Sequence, residues 1–361
     1  MKHLLVALLV CCTSFASAQK SFTLISNTNV IDVKNGKAIK DASVLIGDGI
    51  IQEVFTGKKM KLPPGTHVID GTSKYVIPGM TDAHIHFFQS GGLYTRPDAF
   101  NFTHVVSYQQ ERDFTFNNTE DYFRRYLRMG ITTVADVGGP LSNFTIRDSI
   151  SKRTLSPTVL VTGPLFSMVE DKPLDNGDAP IIKTTTIADA DALLEKILPL
   201  KPDYIKIWYI VTPDLPAEKT FPVVQHIARR THEAKLKLAV HATELKTAEL
   251  AVDAGADILV HSVDDEVVTD QFIKKLLSRN VSYIPTLVVA EGYYKTIAGK
   301  WIHRAEDLYF ANPFAYGSLS DTEHMTDAQV PDSFKRYRAM KNPPVNTRLD
   351  SIMGINLVKL Y

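Results

Sequence analysis

From Lys74 onward the apolar positions cluster in short runs that alternate with longer stretches of helical spacing. The runs are Val76 to His86, Thr132 to Val137, Thr158 to Thr162, Tyr204 to Ile210, Leu236 to His241, Ile258 to His261 and Ser282 to Val288. Their length and their richness in Val, Ile and Leu predict strands of a buried parallel sheet. The stretches between them carry helix signals. Glu120 and Asp121 stand where the first turn of a helix over Thr119 to Met129 favours acid. Thr186-Ile187-Ala188-Asp189 has the form of a capping box ahead of Ala190 to Leu198, and Pro222 suits the first position of a helix reaching Ala234. Gly255 stops a helix over Glu244 to Ala254. Strand, helix, strand, repeated about seven times, is the pattern of a parallel sheet covered by outer helices, a (β/α) barrel.

Upstream of Lys74 the pattern is different. Ser21 to Ile25, Ala42 to Ile46 and Ile50 to Phe55 are short β-rich runs, separated by Asn35-Gly36 and Asp48-Gly49. The second dipeptide sits between two apolar runs and predicts a tight hairpin. The first residues read as a processing signal: Lys2 and His3, an apolar segment from Leu4 to Val10, then the small-residue site Ala16-Ser17-Ala18. The expected organisation is a signal peptide over residues 1–18, a partial β-sandwich over 19–75 and the barrel over 76–361. Export to the periplasm or cell exterior, with cleavage near Ala18, follows from this reading. The apolar segment is too short for a stable membrane span.

Composition narrows the chemistry. With 361 residues the chain can bury a large core, and 44% apolar and 22% charged residues are those of an ordinary globular protein. Forty basic and forty acidic residues balance, so no nucleic-acid partner is expected. Both cysteines, Cys11 and Cys12, lie in the leader. From Gln19 on there is neither disulfide nor thiolate, and any metal site must use nitrogen and oxygen ligands.

Nitrogen ligands are present. His84 and His86 close the first barrel run two residues apart, so on a strand both imidazoles face one side. His241 and His261 each end a later run, twenty residues apart, one strand–helix–strand step. Chemistry in such folds sits at the C-terminal ends of the strands, where all four stand. Lys206 lies inside the apolar run Tyr204 to Trp208. A lysine there is neutral, paired or modified, unless it reaches past the strand end to solvent or an acidic neighbour. His226 and His232 stand six apart on an outer helix and do not share a face. The two long connections, Phe87 to Asn118 and Val289 to roughly Pro344, are rich in aromatic residues and follow strands on the same side. Their rings either pack these segments down or shape a substrate pocket.

Pro78-Gly79-Met80-Thr81-Asp82-Ala83-His84-Ile85-His86, followed by Lys206, His241 and His261, resembles the metal centre of the amidohydrolase superfamily, and Thr132 to Gly139 is similar to its second-strand segment. The branch it most resembles holds imidazolonepropionase-like and Xaa-Pro dipeptidase-like enzymes. The resemblance implies a TIM-like (β/α) barrel with a binuclear site, most often two Zn2+ ions, other divalent metals being alternatives. His84 and His86 hold one ion, His241 and His261 the other, and Lys206 bridges them as a carbamate. It further implies hydrolysis of a C–N bond in an amide, dipeptide or cyclic amide by a metal-activated hydroxide. The expected partners are a small-molecule or dipeptide-like substrate and, in a homo-oligomer, further copies of the chain.

One part of the family pattern has no counterpart. Members end an eighth strand with an aspartate, whereas Asn346 to Tyr361 reads as the helix after the seventh strand. The catalytic aspartate is therefore expected beyond Tyr361, and the barrel is expected to lack its last strand. Asp264-Asp265 follows His261, but nothing in the family pattern makes it a substitute. The readings left are a fragment, a barrel completed by another chain, and a catalytically inactive relic that binds metal or ligand.

Overall fold

A computed structural model describes residues 21–57, 60–338 and 347–361. The expected signal peptide lies outside these residues. The chain divides into two compact units, Met1–Pro78 and Gly79–Tyr361.

The first unit is one five-stranded sheet. Strands β1 (Phe22–Asp32), β2 (Lys37–Gly47) and β3 (Ile50–Thr56) form an antiparallel meander. β4 (His67–Asp70) and β5 (Tyr75–Val76) then add to β1 in parallel. The hairpin between β2 and β3 turns where expected, with Asp48 at φ 52° and Gly49 at φ 77°. Two positive φ values in succession are the twist a two-residue hairpin requires. Among the described residues there is a single sheet here, not the two layers of a sandwich.

Pro78 breaks what reads as one strand from Val76 to His86. It has no N–H to give to a ladder, so β5 ends at Val76 and β6 (Met80–Ile85) starts afresh in the second unit. There β6, β7 (Ile131–Asp136) and β8 (Thr158–Val161) form one parallel sheet. β9 (Leu165–Ser167), β10 (Ile181–Lys183), β11 (Ile205–Trp208), β12 (Leu238–His241), β13 (Ile258–Val260) and β14 (Ser282–Ile284) form a second, in the order β10-β9-β11-β12-β13-β14. Its pairings are all parallel too. The third barrel strand is split by Thr162-Gly163-Pro164, so β8 pairs with β7 while β9 pairs with β11. Asp203 spans the split, its N–H donating to the Val161 carbonyl (2.9 Å) and its carboxylate accepting from the Val161 N–H (2.8 Å). The order follows a (β/α) barrel, but the sheets do not close among the described residues.

Outer helices fill the intervals: α1 (Tyr108–Asn117), α2 (Thr119–Arg128), α3 (Ile187–Ile197), α4 (Ala217–Glu233), α5 (Leu245–Ala254), α6 (Asp270–Ser278), α7 (Val289–Ala298) and α8 (Thr347–Leu360). The capping box before α3 is formed, Asp189 N–H donating to Thr186 Oγ1 and Thr186 N–H to the Asp189 carboxylate. α4 begins earlier than expected. Pro216 is its N-cap, which leaves Pro222 inside the helix, where one carbonyl loses its usual N–H partner. The buried faces of α3, α4, α5 and α6 join the strands in one apolar core.

The long aromatic connections are not loops throughout. The first contains α1, and the second carries α7 and several shorter helical turns. Several of their rings pack the two segments on each other: Leu93, Phe102, Val330 and Phe334 are buried together, with Tyr94, Phe100 and Ile297 against them. Tyr94 Oη also donates to Asp321 (2.7 Å).

A buried amide side chain ties α8 to the segment before α6. Asn356, 1% exposed, accepts from the Val268 N–H (2.8 Å) and donates to the carbonyls of Val263 (3.0 Å) and Glu266 (2.9 Å). Replacing it with Ala leaves three backbone groups without partners in a site closed to water. Asn356→Ala is expected to destabilise the second unit by about 3 kcal/mol, read as a lower urea midpoint at unchanged slope. A midpoint within error of wild type would mean that water reaches those groups.

Candidate functional site

The five residues singled out above meet at the C-terminal ends of the parallel strands. His84 lies near the end of β6 and His86 just beyond it, His241 ends β12, and His261 follows β13 directly. Lys206 is on β11, and it lines one cavity of about 270 Å³ together with all four histidines. His84 Nε2 and His86 Nε2 are 3.3 Å apart. Ring centroids are 4.4 Å apart for His241 and His261 and 4.8 Å for His84 and His261. The rings thus form two close pairs joined through His84 and His261. Among the described residues no three His, Asp or Glu side chains are set to hold a single ion.

Backbone and hydroxyl groups orient two of the rings. His86 Nδ1 is 2.7 Å from the Gly138 carbonyl, so it carries the proton and leaves the Nε2 lone pair toward His84. His261 Nδ1 is 2.7 Å from Thr286 Oγ1. Both members of that contact have left-handed backbones, φ 75° at His261 and 41° at Thr286. For a β-branched threonine this is strained, and strain of this kind collects at functional sites.

The electrostatics favour neutral imidazoles. Burial, against the bond to Gly138, brings His86 down to about 4, and burial with nearby Lys206 brings His261 down to about 3. His84 and His241 are pushed down for the same reason, each further depressed by a neighbouring histidine. Neutral nitrogen lone pairs are the form that binds metal. Lys206 is 2% exposed, and its Nζ has no hydrogen-bond partner. Burial alone holds its amine well below the usual lysine range.

Other groups at the site carry weaker sequence signals. Asp136, 1% exposed at the end of β7, accepts from Asn143 Nδ2 (2.6 Å) and lies 3.9 Å from His86 Nδ1. Burial pushes its carboxyl up to about 8. Its place at a strand end was a usable signal. Arg96 comes from an irregular stretch and had none, while Thr286 and Tyr293 lay in a predicted strand run and an aromatic-rich connection that did not single them out. His226 and His232 pair with Asp191 (2.9 Å) and Asp257 (3.0 Å) on the outer layer, away from the site. Asp265 caps α5 by accepting from the Leu245 N–H (2.8 Å).

A model of the amidohydrolase family matches residues 75–306, well over half of the chain. The chain belongs to the amidohydrolase family. Curated relatives align over short stretches only. Human dihydropyrimidinase-related protein 5 is 44% identical over 63 residues, 16% of this chain and 11% of that protein. Dihydroorotase of Ruminiclostridium cellulolyticum is 45% identical over 71 residues, 20% of this chain and 16% of that enzyme. Among solved structures, a prolidase complexed with N-methylphosphonate-L-proline superposes with a TM-score of 0.62 at 19% identity, over 88% of this chain and 76% of that one. An Xaa-Pro dipeptidase with bound methionine gives 0.59 at 19% identity, over 93% and 89%. At such identity the likeness is one of fold, an amidohydrolase α/β fold built on parallel strands.

Proposed function

We propose that this amidohydrolase is a metal-dependent hydrolase of carbon–nitrogen bonds in amides, dipeptides or cyclic amides. The observation that carries the reading is the meeting of four neutral imidazoles with a buried, partnerless lysine at the strand ends of a parallel α/β fold. His84 and His86 would hold one divalent ion, and His241 and His261 a second. Zinc suits a set of neutral nitrogen ligands without sulfur. Two nitrogens bound to one zinc ion at a tetrahedral angle lie ~3.4 Å apart, and His84 and His86 offer 3.3 Å. The Lys206 amine would add to carbon dioxide and lose a proton, giving a carbamate. That exchange would replace an unbonded amine by an anionic ligand able to serve two cations. Bound ions of this kind lower the pKa of a water and polarise an amide carbonyl.

The chain's own residues supply orientation and dryness. Gly138 and Thr286 fix the rings of His86 and His261, and burial keeps all four imidazoles unprotonated. The prolidase, Xaa-Pro dipeptidase and dihydroorotase among the similar proteins support the reaction class. The test is metal analysis and turnover on the full chain loaded with zinc. About two ions per chain are expected, with hydrolysis of at least one member of a panel of dipeptides, N-acyl amino acids and cyclic amides. Metal without turnover would favour the inactive, ligand-binding alternative. No bound metal would remove the ligand set itself.

A further inference from the structure

Arg96 lies between β6 and α1 and lines both the cavity around Lys206 and an adjoining one of about 410 Å³ that also reaches His84, His86 and His261. Apart from the histidines, the ionisable groups of lysine, arginine and carboxylate type lining these cavities are Asp82, Arg96 and Lys206. A guanidinium does not give up its proton in a protein. Arg96 thus places a fixed positive charge on the wall of both cavities, beside the histidines.

The guanidinium is also held ready. Its Nε donates to one Asp98 oxygen (2.7 Å), its Nη2 to the other, and its Nη1 to Tyr293 Oη (3.1 Å). Of five N–H groups, one on Nη1 and one on Nη2 remain to donate to an anionic oxygen. Asp98 is 13% exposed, and Tyr293 packs edge-on against Phe100 with centroids 5.5 Å apart. A side chain fixed from two sides loses little freedom when it binds.

We propose that Arg96 anchors an anionic group, a carboxylate first of all, on the substrate whose scissile bond lies at the histidines. The substrate class then narrows to acid-bearing amides, such as N-acyl amino acids and dipeptides with a free carboxyl end, over neutral amides. This rests on the hydrolase reading above. The competing role is a purely structural tie between the segment before α1 and helix α7.

Matched pairs separate the two. N-acyl amino acids and dipeptides, each as the free acid and as the carboxamide, are assayed with the zinc-loaded full chain. Arg96→Gln strands Asp98, so Arg96→Gln/Asp98→Asn, which removes both charges together, is assayed beside it. The acid-over-amide preference in kcat/KM is expected to fall at least about 30-fold in both variants, with bound zinc unchanged. Equal changes for acids and amides would overturn the anchor, because a structural tie does not distinguish them. Calorimetric binding of the same pairs is independent of turnover. The wild-type chain should bind acids at least about tenfold more tightly than amides, and both variants should lose that preference. No preference in the wild type refutes the anchor, whereas binding preference without turnover refutes only the hydrolase reading.

Discussion

Lys206→Met is expected to lose most of its bound metal and at the same time to give an apo protein no less stable than wild type. The two halves have different causes. If Lys206 is the ligand shared between the His84/His86 and His241/His261 pairs, its removal costs each ion a bond and leaves two cations without an anionic group between them. An affinity loss of at least about 100-fold, near 2.7 kcal/mol, is the expected scale, and metal per chain should fall accordingly after dialysis. Turnover should fall with it. In the apo chain the balance is reversed. The Lys206 amine is 2% exposed and unbonded, and a polar group in that position costs about 1–3 kcal/mol. Methionine has a similar unbranched stem and no group to satisfy. Metal content equal to wild type would mean that the histidines bind without Lys206. A marked drop in apo stability would mean that the amine has a partner after all.

That the lysine stood out in the sequence, while Arg96 and Thr286 did not, has a physical reason. A charged residue inside Tyr204–Trp208 violates the rule that parallel strands are apolar throughout, and such violations are visible without coordinates. The histidines were legible for a related reason: each closes an apolar run, and the ends of parallel strands share one side of the fold. Helix boundaries set by local chemistry, such as Thr186 and Asp189 or Gly255, were equally readable. What failed were signals that depend on the next element along. Pro222 looks like a helix start until Pro216 caps the helix one turn earlier. Pro78 looks like part of a strand until the ladder has to pass through it. Among the described residues β10 pairs with β9 alone, the second half of the split third strand, and a three-residue strand has no periodicity to read.

The same distinction runs through the site. Arg96 and Tyr293 are 197 positions apart and lie in connections whose apolar residues obey neither a period of two nor one of 3.6. Their meeting is decided by how Leu93, Phe102, Val330 and Phe334 pack, which is a tertiary event. Thr286 is less legible still. A threonine at φ 41° is held there by the fold around it, and its bond to His261 exists only in that backbone.

Gly138→Ala should be strongly damaging, and it should act on the site as well as on stability. Gly138 has φ +143°, a region that L side chains rarely adopt, and a Cβ built there would lie 2.4 Å from both Leu165 Cγ and Cδ1. Leu165 is 5% exposed and lines the cavity around Lys206, so it can give way only by intruding on the site. Backbone strain and overpacking together put the cost at about 3–5 kcal/mol, measured by denaturant titration of the apo protein. The Gly138 carbonyl also accepts the hydrogen bond from His86 Nδ1–H. If this backbone shifts to admit the methyl group, the ring turns with it, so the fraction that still folds should bind metal less tightly. A double-mutant cycle divides the two causes. Leu165→Ala alone leaves a cavity and destabilises, but it makes room for the new methyl group. Gly138→Ala/Leu165→Ala should therefore cost at least about 1 kcal/mol less than the sum of the single changes. Strict additivity would mean that the clash with Leu165 contributes nothing and that the backbone angle carries the whole effect. Restored stability with metal affinity still reduced would show that His86 depends on the position of this carbonyl and not on the packing beneath it.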